Sequence, residues 1–289
     1  MSFVSVAKTK RGNHVWRDEG GAGPLIYVSG MAVDGDGSPH CYHPDNKGLD
    51  ALGNAHEGDR WFGVVTKNNV PVVQGAGDPA PGYYVSPTSL NDPNIKDASN
   101  PRRYVDSETI PYIAFPGRLF AESGGDVSRL GLGVNLGDYV VVYDIKSGMA
   151  VGAFFADVGP AYKLGEASIA VAKALNIPWS PRNGGVDSPT RIAYVVFPKS
   201  FTQFQADPYP QSAELIKTRA RQLFDAWGAE EGSGEAMLEK TLAAIKLKSA
   251  SFGVGASKED LAQDIPKPGD RRDDPELHYH EPSPAESAS

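Results

Sequence analysis

The sequence predicts a mainly β fold of α+β type, a barrel or sandwich carrying helices at its end rather than between its strands. Three observations carry that expectation. Short β-rich runs between Pro24 and Ser200 are broken every dozen or so residues by Gly, Pro, Asn or Asp. The long alternating helices that a parallel α/β sheet needs do not separate them. Two amphipathic helical stretches follow the last run. With 289 residues, 40 % of them apolar, the chain can bury a core without staples. Its single cysteine, Cys41, excludes an intramolecular disulfide.

Candidate strands, chosen for β-branched and aromatic content, are residues 25–33, 61–66, 71–74, 83–86, 112–115, 138–144, 149–156 and 191–197. Lys146-Ser147-Gly148 joins two of them as a hairpin. One helix is expected within the β pattern, at 166–175, where EASIAVAKAL supplies Ala and Leu; Asn176 and Pro178 end it. After the strands, 212–227 places Leu215, Ile216, Ala220, Leu223, Phe224 and Trp227 on one stripe, and 235–247 is a second amphipathic helix. From residue 250 the chain turns polar and proline-rich, the composition of a disordered tail. The expected division is an N-terminal extension at 1–23, a barrel domain at 24–205, a helical appendage at 206–249 and an acidic tail at 250–289.

The formal net charge is −8, and the tail holds nine acids against four basic residues, so most of that charge lies outside the barrel. An acidic balance argues against nucleic acid, whose backbone is bound by clustered Lys and Arg. No apolar run approaches the ~18 residues of a membrane span, so no membrane insertion is expected. The start, MSFVSVAKTKRGNHVWRDEGG, lacks the apolar core of a secretory signal.

The densest chemistry lies in FFADVGPAYKLGEAS. An apolar strand ends at Asp157, a Gly-Pro turn follows, and Glu166 opens the expected helix, which brings two carboxylates to one rim. Hydrolysis by acid and base needs such a pair, one to protonate a leaving oxygen and one to activate water. The same residues also suit ordinary turn chemistry and a helix dipole. A second cluster runs from Asp34 to Asp45. Asp34 and Asp36 can bind ammonium groups, Tyr42 can stack on a sugar face, and His43 lies beside them. A locally satisfied turn explains the same pattern. Calcium is disfavoured because Asp45 stands where a Glu should close the loop. Zinc is disfavoured because His40, Cys41 and His43 lack a fourth ligand. Neither metal nor cofactor is expected. Lys163 lies between the two acids, and Asn183 belongs to a Gly-rich loop that can approach the same cleft. Trp61 and Trp179 are sugar platforms or buried aromatics. No G-x-S-x-G is present, and the acidic surroundings of Cys41 do not suit a nucleophile.

The run DVGPAYKLGEASIAVAKALNI, preceded by YVDSETIPYIAFPG and LGDYVVVYD and followed by PRNGG and IAYVVFP, resembles the fungal-type chitosanases of glycoside hydrolase family 75 and their bacterial relatives. MAVDGDGSPHCYHPDNKGLDALGNA and PAPGYYVSPTSL are similar to that family too, and together these stretches cover most of residues 27–200. The resemblance implies a double-psi-like β-barrel and an endo-acting, inverting hydrolase of β-1,4-linked glucosamine polymers. It also implies that Asp157 and Glu166 are its essential acids. Glu166 is then the general acid and Asp157 the base, unless a helix N-terminus keeps Glu166 ionised and reverses the roles. The implied partner is a polysaccharide, chitosan or a related aminosugar glycan. A peptidoglycan glycan-strand hydrolase and a non-catalytic glycan-binding barrel are the alternatives. The family is typically secreted, whereas this start carries no secretory signal, so the chain is expected in the cytoplasm or exported by a non-classical route.

Overall fold

The computed structural model describes residues 2–21, 23–204 and 211–251. The chain opens with β1 (Phe3–Lys8), β2 (His14–Asp18), β3 (Leu25–Ser29) and β4 (Ala32–Asp34). A long irregular excursion follows from 35 to 111. Its strand pairing is two small ladders, β5 (His56–Glu57) with β6 (Arg60–Trp61) and β7 (Thr66–Lys67) with β8 (Val70–Pro71). Then come β9 (Tyr112–Pro116), β10 (Arg118–Ala121), β11 (Asp126–Ser128), β12 (Tyr139–Asp144) and β13 (Met149–Gly159). β14 (Glu166–Ser168) leads into α1 (Ile169–Ala174), and β15 (Ile192–Val196), α2 (Ala213–Trp227) and α3 (Gly234–Ser251) complete the described chain.

Eleven strands form one curled sheet, a half-barrel, in the order β11-β10-β1-β2-β3-β15-β12-β13-β9-β14-β4. The fold is therefore mainly β, as the turn spacing predicts, and the expected barrel takes the form of this half-barrel. The hairpin across Lys146-Ser147-Gly148 pairs Tyr139 with Phe154 through to Asp144 with Met149. Successive residues of a strand point to opposite faces, and here both faces are buried. One carries Tyr27, Ile113, Phe115, Val140, Phe155 and Tyr194. The other carries Tyr112, Tyr139, Val141, Phe154 and Val195, covered by Ile216, Ala220 and Phe224 of α2 and Leu238 of α3. Burial on both sides explains why these runs read as continuously apolar rather than alternating.

Several boundaries differ from expectation. Residues 3–18, read as part of an extension, supply two strands inside the sheet, between β10 and β3; their mixed polar composition, FVSVAK and HVWRD, hides them. The run 25–33 divides at Gly30, where the backbone comes so close to the Val186 carbonyl that a Cβ would stand 2.2 Å from it. The runs 61–66 and 71–74 shrink to the small ladders, and 83–86 is reduced to a bridge between Val73 and Tyr84. The helix expected from residue 166 begins at Ile169, because Ser168 caps it, its Oγ accepting from the Val171 amide. From residue 252 the expected tail lies outside the described residues.

Candidate active site

Strands β13, β14 and β4 carry Asp157, Glu166 and Asp34. Asp157 of β13 is paired with Ala114 of β9, and Ala114 is also paired, from its other side, with Glu166 of β14. β14 runs parallel to β4, with Glu166 opposite Ala32 and Ser168 opposite Asp34. Directly paired residues point to the same face, so Asp157, Glu166 and Asp34 share one. A shift in register between Phe155 and Asp157 makes this possible. Without the extra residue, Asp157 would follow Phe155 onto the opposite, apolar face; the bulge re-aims it. Gly159 serves the same end. A Cβ there would lie 3.1 Å from Glu166 Oε2, so its missing side chain leaves the space that the Glu166 carboxyl occupies.

The excursion 35–111 supplies the walls. Asp157, only 5 % exposed, accepts two hydrogen bonds on Oδ1, from the Ser89 amide at 2.8 Å and the Ser89 hydroxyl at 2.7 Å. Asp34, Asp36 and Asp157 each place a carboxylate oxygen within 4.8 Å of the others, all three residues being buried. Carboxylates this close and this dry repel one another, which sets the trio apart from a single buried acid. The trio's oxygens are the donor set in this region that suits a hard cation. The Tyr112 hydroxyl donates to the Asp36 carbonyl at 2.7 Å. Burial, and then the charges of Asp34, Asp157 and Asp36, hold its phenol well above the ordinary range. The Asp36 carboxylate also accepts from the Ser86 hydroxyl at 3.2 Å and from the Tyr42 hydroxyl at 3.1 Å. That same Tyr42 hydroxyl lies 3.1 Å from Asp50 Oδ2. Burial, above all, pushes Asp50 up. Glu166 differs from the trio: it is partly exposed, and Lys163 Nζ stands 4.0 Å from its Oε1.

Asp157, Glu166, Asp34, Asp36 and Lys163 are thus brought together, although Glu166 sits on a strand and not at a helix start. Asp34 and Asp36 do not project from a loop towards solvent but turn inward. Tyr42 is 2 % exposed and offers no ring face to a sugar; it ties Asp36 to Asp50 instead. His43 is buried, edge-on to Tyr83, with the Asp45 amide donating to its Nδ1. Asn183 is exposed on a loop that Arg182 ties to the carbonyls of Asn46, Gly48 and Asp50. Trp179 is 45 % exposed, with the Lys173 ammonium 4.7 Å from its ring centre, while Trp61 lies between His56 and Tyr84. Ser89, Ser86, Asp50 and Tyr112 complete the site and were not foreseen, although all four stand in the stretches quoted for the resemblance.

Two cavities lie away from the acids. One of about 570 Å³ is lined by Arg17, Leu130, Pro198 and Trp227, and one of about 710 Å³ by Phe3, His14, Trp16, Phe120 and Lys248. Neither is lined by Asp157 or Glu166. Among the described residues no helix is long and apolar enough to cross a membrane. No protein-family model matches the chain, and no curated protein matches it. The likeness to the chitosanases therefore stands on the quoted motifs alone.

Proposed function

We propose that the chain is an inverting, endo-acting glycoside hydrolase of β-1,4-linked glucosamine polymers, with Asp157 and Glu166 as its acid/base pair. The observation that supports this is the shared register of the two acids across Ala114. Two inter-strand spacings put their α-carbons roughly 10 Å apart. From there the carboxyl groups can reach the ~6.5–9.5 Å that leaves room for an attacking water.

The surroundings divide the roles. We assign the acid role to Asp157, buried among Asp34 and Asp36, which delivers a proton to the leaving glycosidic oxygen. Glu166, off the helix and beside Lys163, is the carboxylate that draws a proton from water. As water attacks the anomeric carbon, Glu166 takes its proton, the carbon–oxygen bond breaks, and Asp157 protonates the departing sugar. Glu166 ends protonated and Asp157 ionised, and solvent resets both. This ordering is the reverse of the assignment first made from the resemblance, Glu166 as acid and Asp157 as base, and it does not depend on a helix start, since Glu166 lies on β14.

The purified chain should be incubated with chitosan and with purified cell wall in parallel, with new reducing ends counted and the first-formed anomer read by NMR. Shortened chitosan with inverted ends is the expected result. Cleavage of cell wall alone moves the substrate to peptidoglycan. Binding without cleavage of either polymer replaces the hydrolase with a glycan-binding barrel.

A further inference from the structure

Between Asp157 and Glu166 the chain makes a short turn, 160–165, and the placement of one acid against the other depends on how that turn is held. Tyr162 sits in it with φ at 62°, a left-handed conformation that a bulky side chain rarely adopts. Such a conformation persists only where the surroundings over-determine it. Here they do. The Tyr162 ring stacks on Phe120 with centroids 4.3 Å apart and planes 17° off parallel. Its hydroxyl donates to Asp126 Oδ2 at 2.7 Å, its amide donates to the Arg118 carbonyl at 3.0 Å, and the Arg118 guanidinium lies 5.7 Å from the ring centre.

Arg118 and Phe120 lie on β10 and Asp126 on β11, the two strands at the opposite end of the sheet order from β14 and β4. Tyr162 therefore spans the seam of the half-barrel. The turn is fixed on its other side by Gly165, whose φ is 91°. A Cβ there would stand 2.1 Å from Ser29 Oγ, and its carbonyl accepts from the Ala32 amide at 2.7 Å. Lys163, beside Glu166, lies between these two anchors.

We propose that Tyr162 is a positioning residue: anchored on the β10–β11 hairpin, it holds the turn so that Lys163 and Glu166 are set against Asp157. The proposal rests on the acid/base reading above, and it makes a remote hairpin part of the machinery. Substrate is not touched by Tyr162; it acts through Glu166.

The test compares Y162A, Y162F and a control, L238A, which weakens the core covered by α2 and α3. Misplacement by about an ångström costs on the order of 10²-fold in rate, so Y162A should lose roughly 10- to 100-fold in kcat with KM within about twofold. Y162F keeps the stack and should restore most of the rate. L238A should lower the melting temperature and leave kcat in place. Hydrogen exchange, followed by mass spectrometry, should quicken in Y162A at 160–166 while the β12–β13 hairpin stays protected. Should Y162A fail to fold, F120L, which removes the stacking partner, should change rate and exchange in the same direction. A Y162A rate within twofold of the parent, or an equal loss in L238A, overturns the proposal. If the parent chain cleaves no glycan, the hydrolase reading falls. The exchange measurement still decides the anchor, and unchanged protection at 160–166 sinks it.

Discussion

The β12–β13 hairpin buries a carboxylate near each of its ends by opposite means. At the turn end, Asp144 is fully buried but meets Arg191, whose Nε and NH2 donate to its two oxygens at 3.0 and 2.9 Å. At the far end, Asp157 is almost as buried, and its neighbours are two more carboxylates. The first arrangement satisfies a charge where the chain turns. The second concentrates charge that folding alone does not require. A buried acid with a matched partner reads as structure, and one crowded by its own kind points to chemistry.

The comparison can be broken most directly at its acid end. Asp157→Asn and Glu166→Gln should each reduce glycan cleavage by roughly 10²–10⁴-fold, the usual contribution of a general acid or base, with circular dichroism unchanged. Near-full activity in either variant removes that residue from the mechanism. At the turn end the readout changes from rate to stability. Arg191→Ala leaves Asp144 buried with the Lys146 amide and Ser147 hydroxyl as remaining donors. It should cost about 2–3 kcal/mol in denaturant melts, with cleavage by the folded fraction unaltered.

The pH dependence of stability should follow the same division. Hydrogen bonding to Arg191, above all, holds Asp144 at about 2. A carboxyl lowered in the folded state adds stability above its unfolded value, near 4, and loses it as pH falls through about 2. With Arg191 partly exposed, that contribution is about 1–2 kcal/mol. It should vanish from the acid limb of the stability curve in Asp144→Asn and persist in Asp157→Asn. The smallest effect sharpens the contrast most. Relieving the crowding of three buried acids should leave Asp157→Asn as stable as the parent, or about 1 kcal/mol more stable. A loss of several kcal/mol would make Asp157 a structural residue like Asp144.

How much was legible in the sequence follows from what each feature depends on. The hairpin across Lys146-Ser147-Gly148 and the stripe of α2 are local patterns, and both formed where the spacing put them. Asp157 and Glu166 were singled out because strand end, turn and acid are neighbours in the chain. The role of β14 was not legible: three residues with helical propensity become a strand only because β4 and β9 flank them. Nor was the inward turn of Asp36, which depends on Ser86, Tyr42 and Tyr112 arriving from elsewhere. β1 and β2 were missed because polar residues dilute their apolar signal.

The pairing of β14 also orders events in time. Ser168 meets Asp34, and Glu166 meets Ala114, across separations that a growing or collapsing chain closes late, after hairpins such as β12–β13 have formed. A three-residue strand adds little to that closure, so it belongs among the last contacts to form and the first to open. Heat should therefore silence the acid pair before it melts the sheet that carries it.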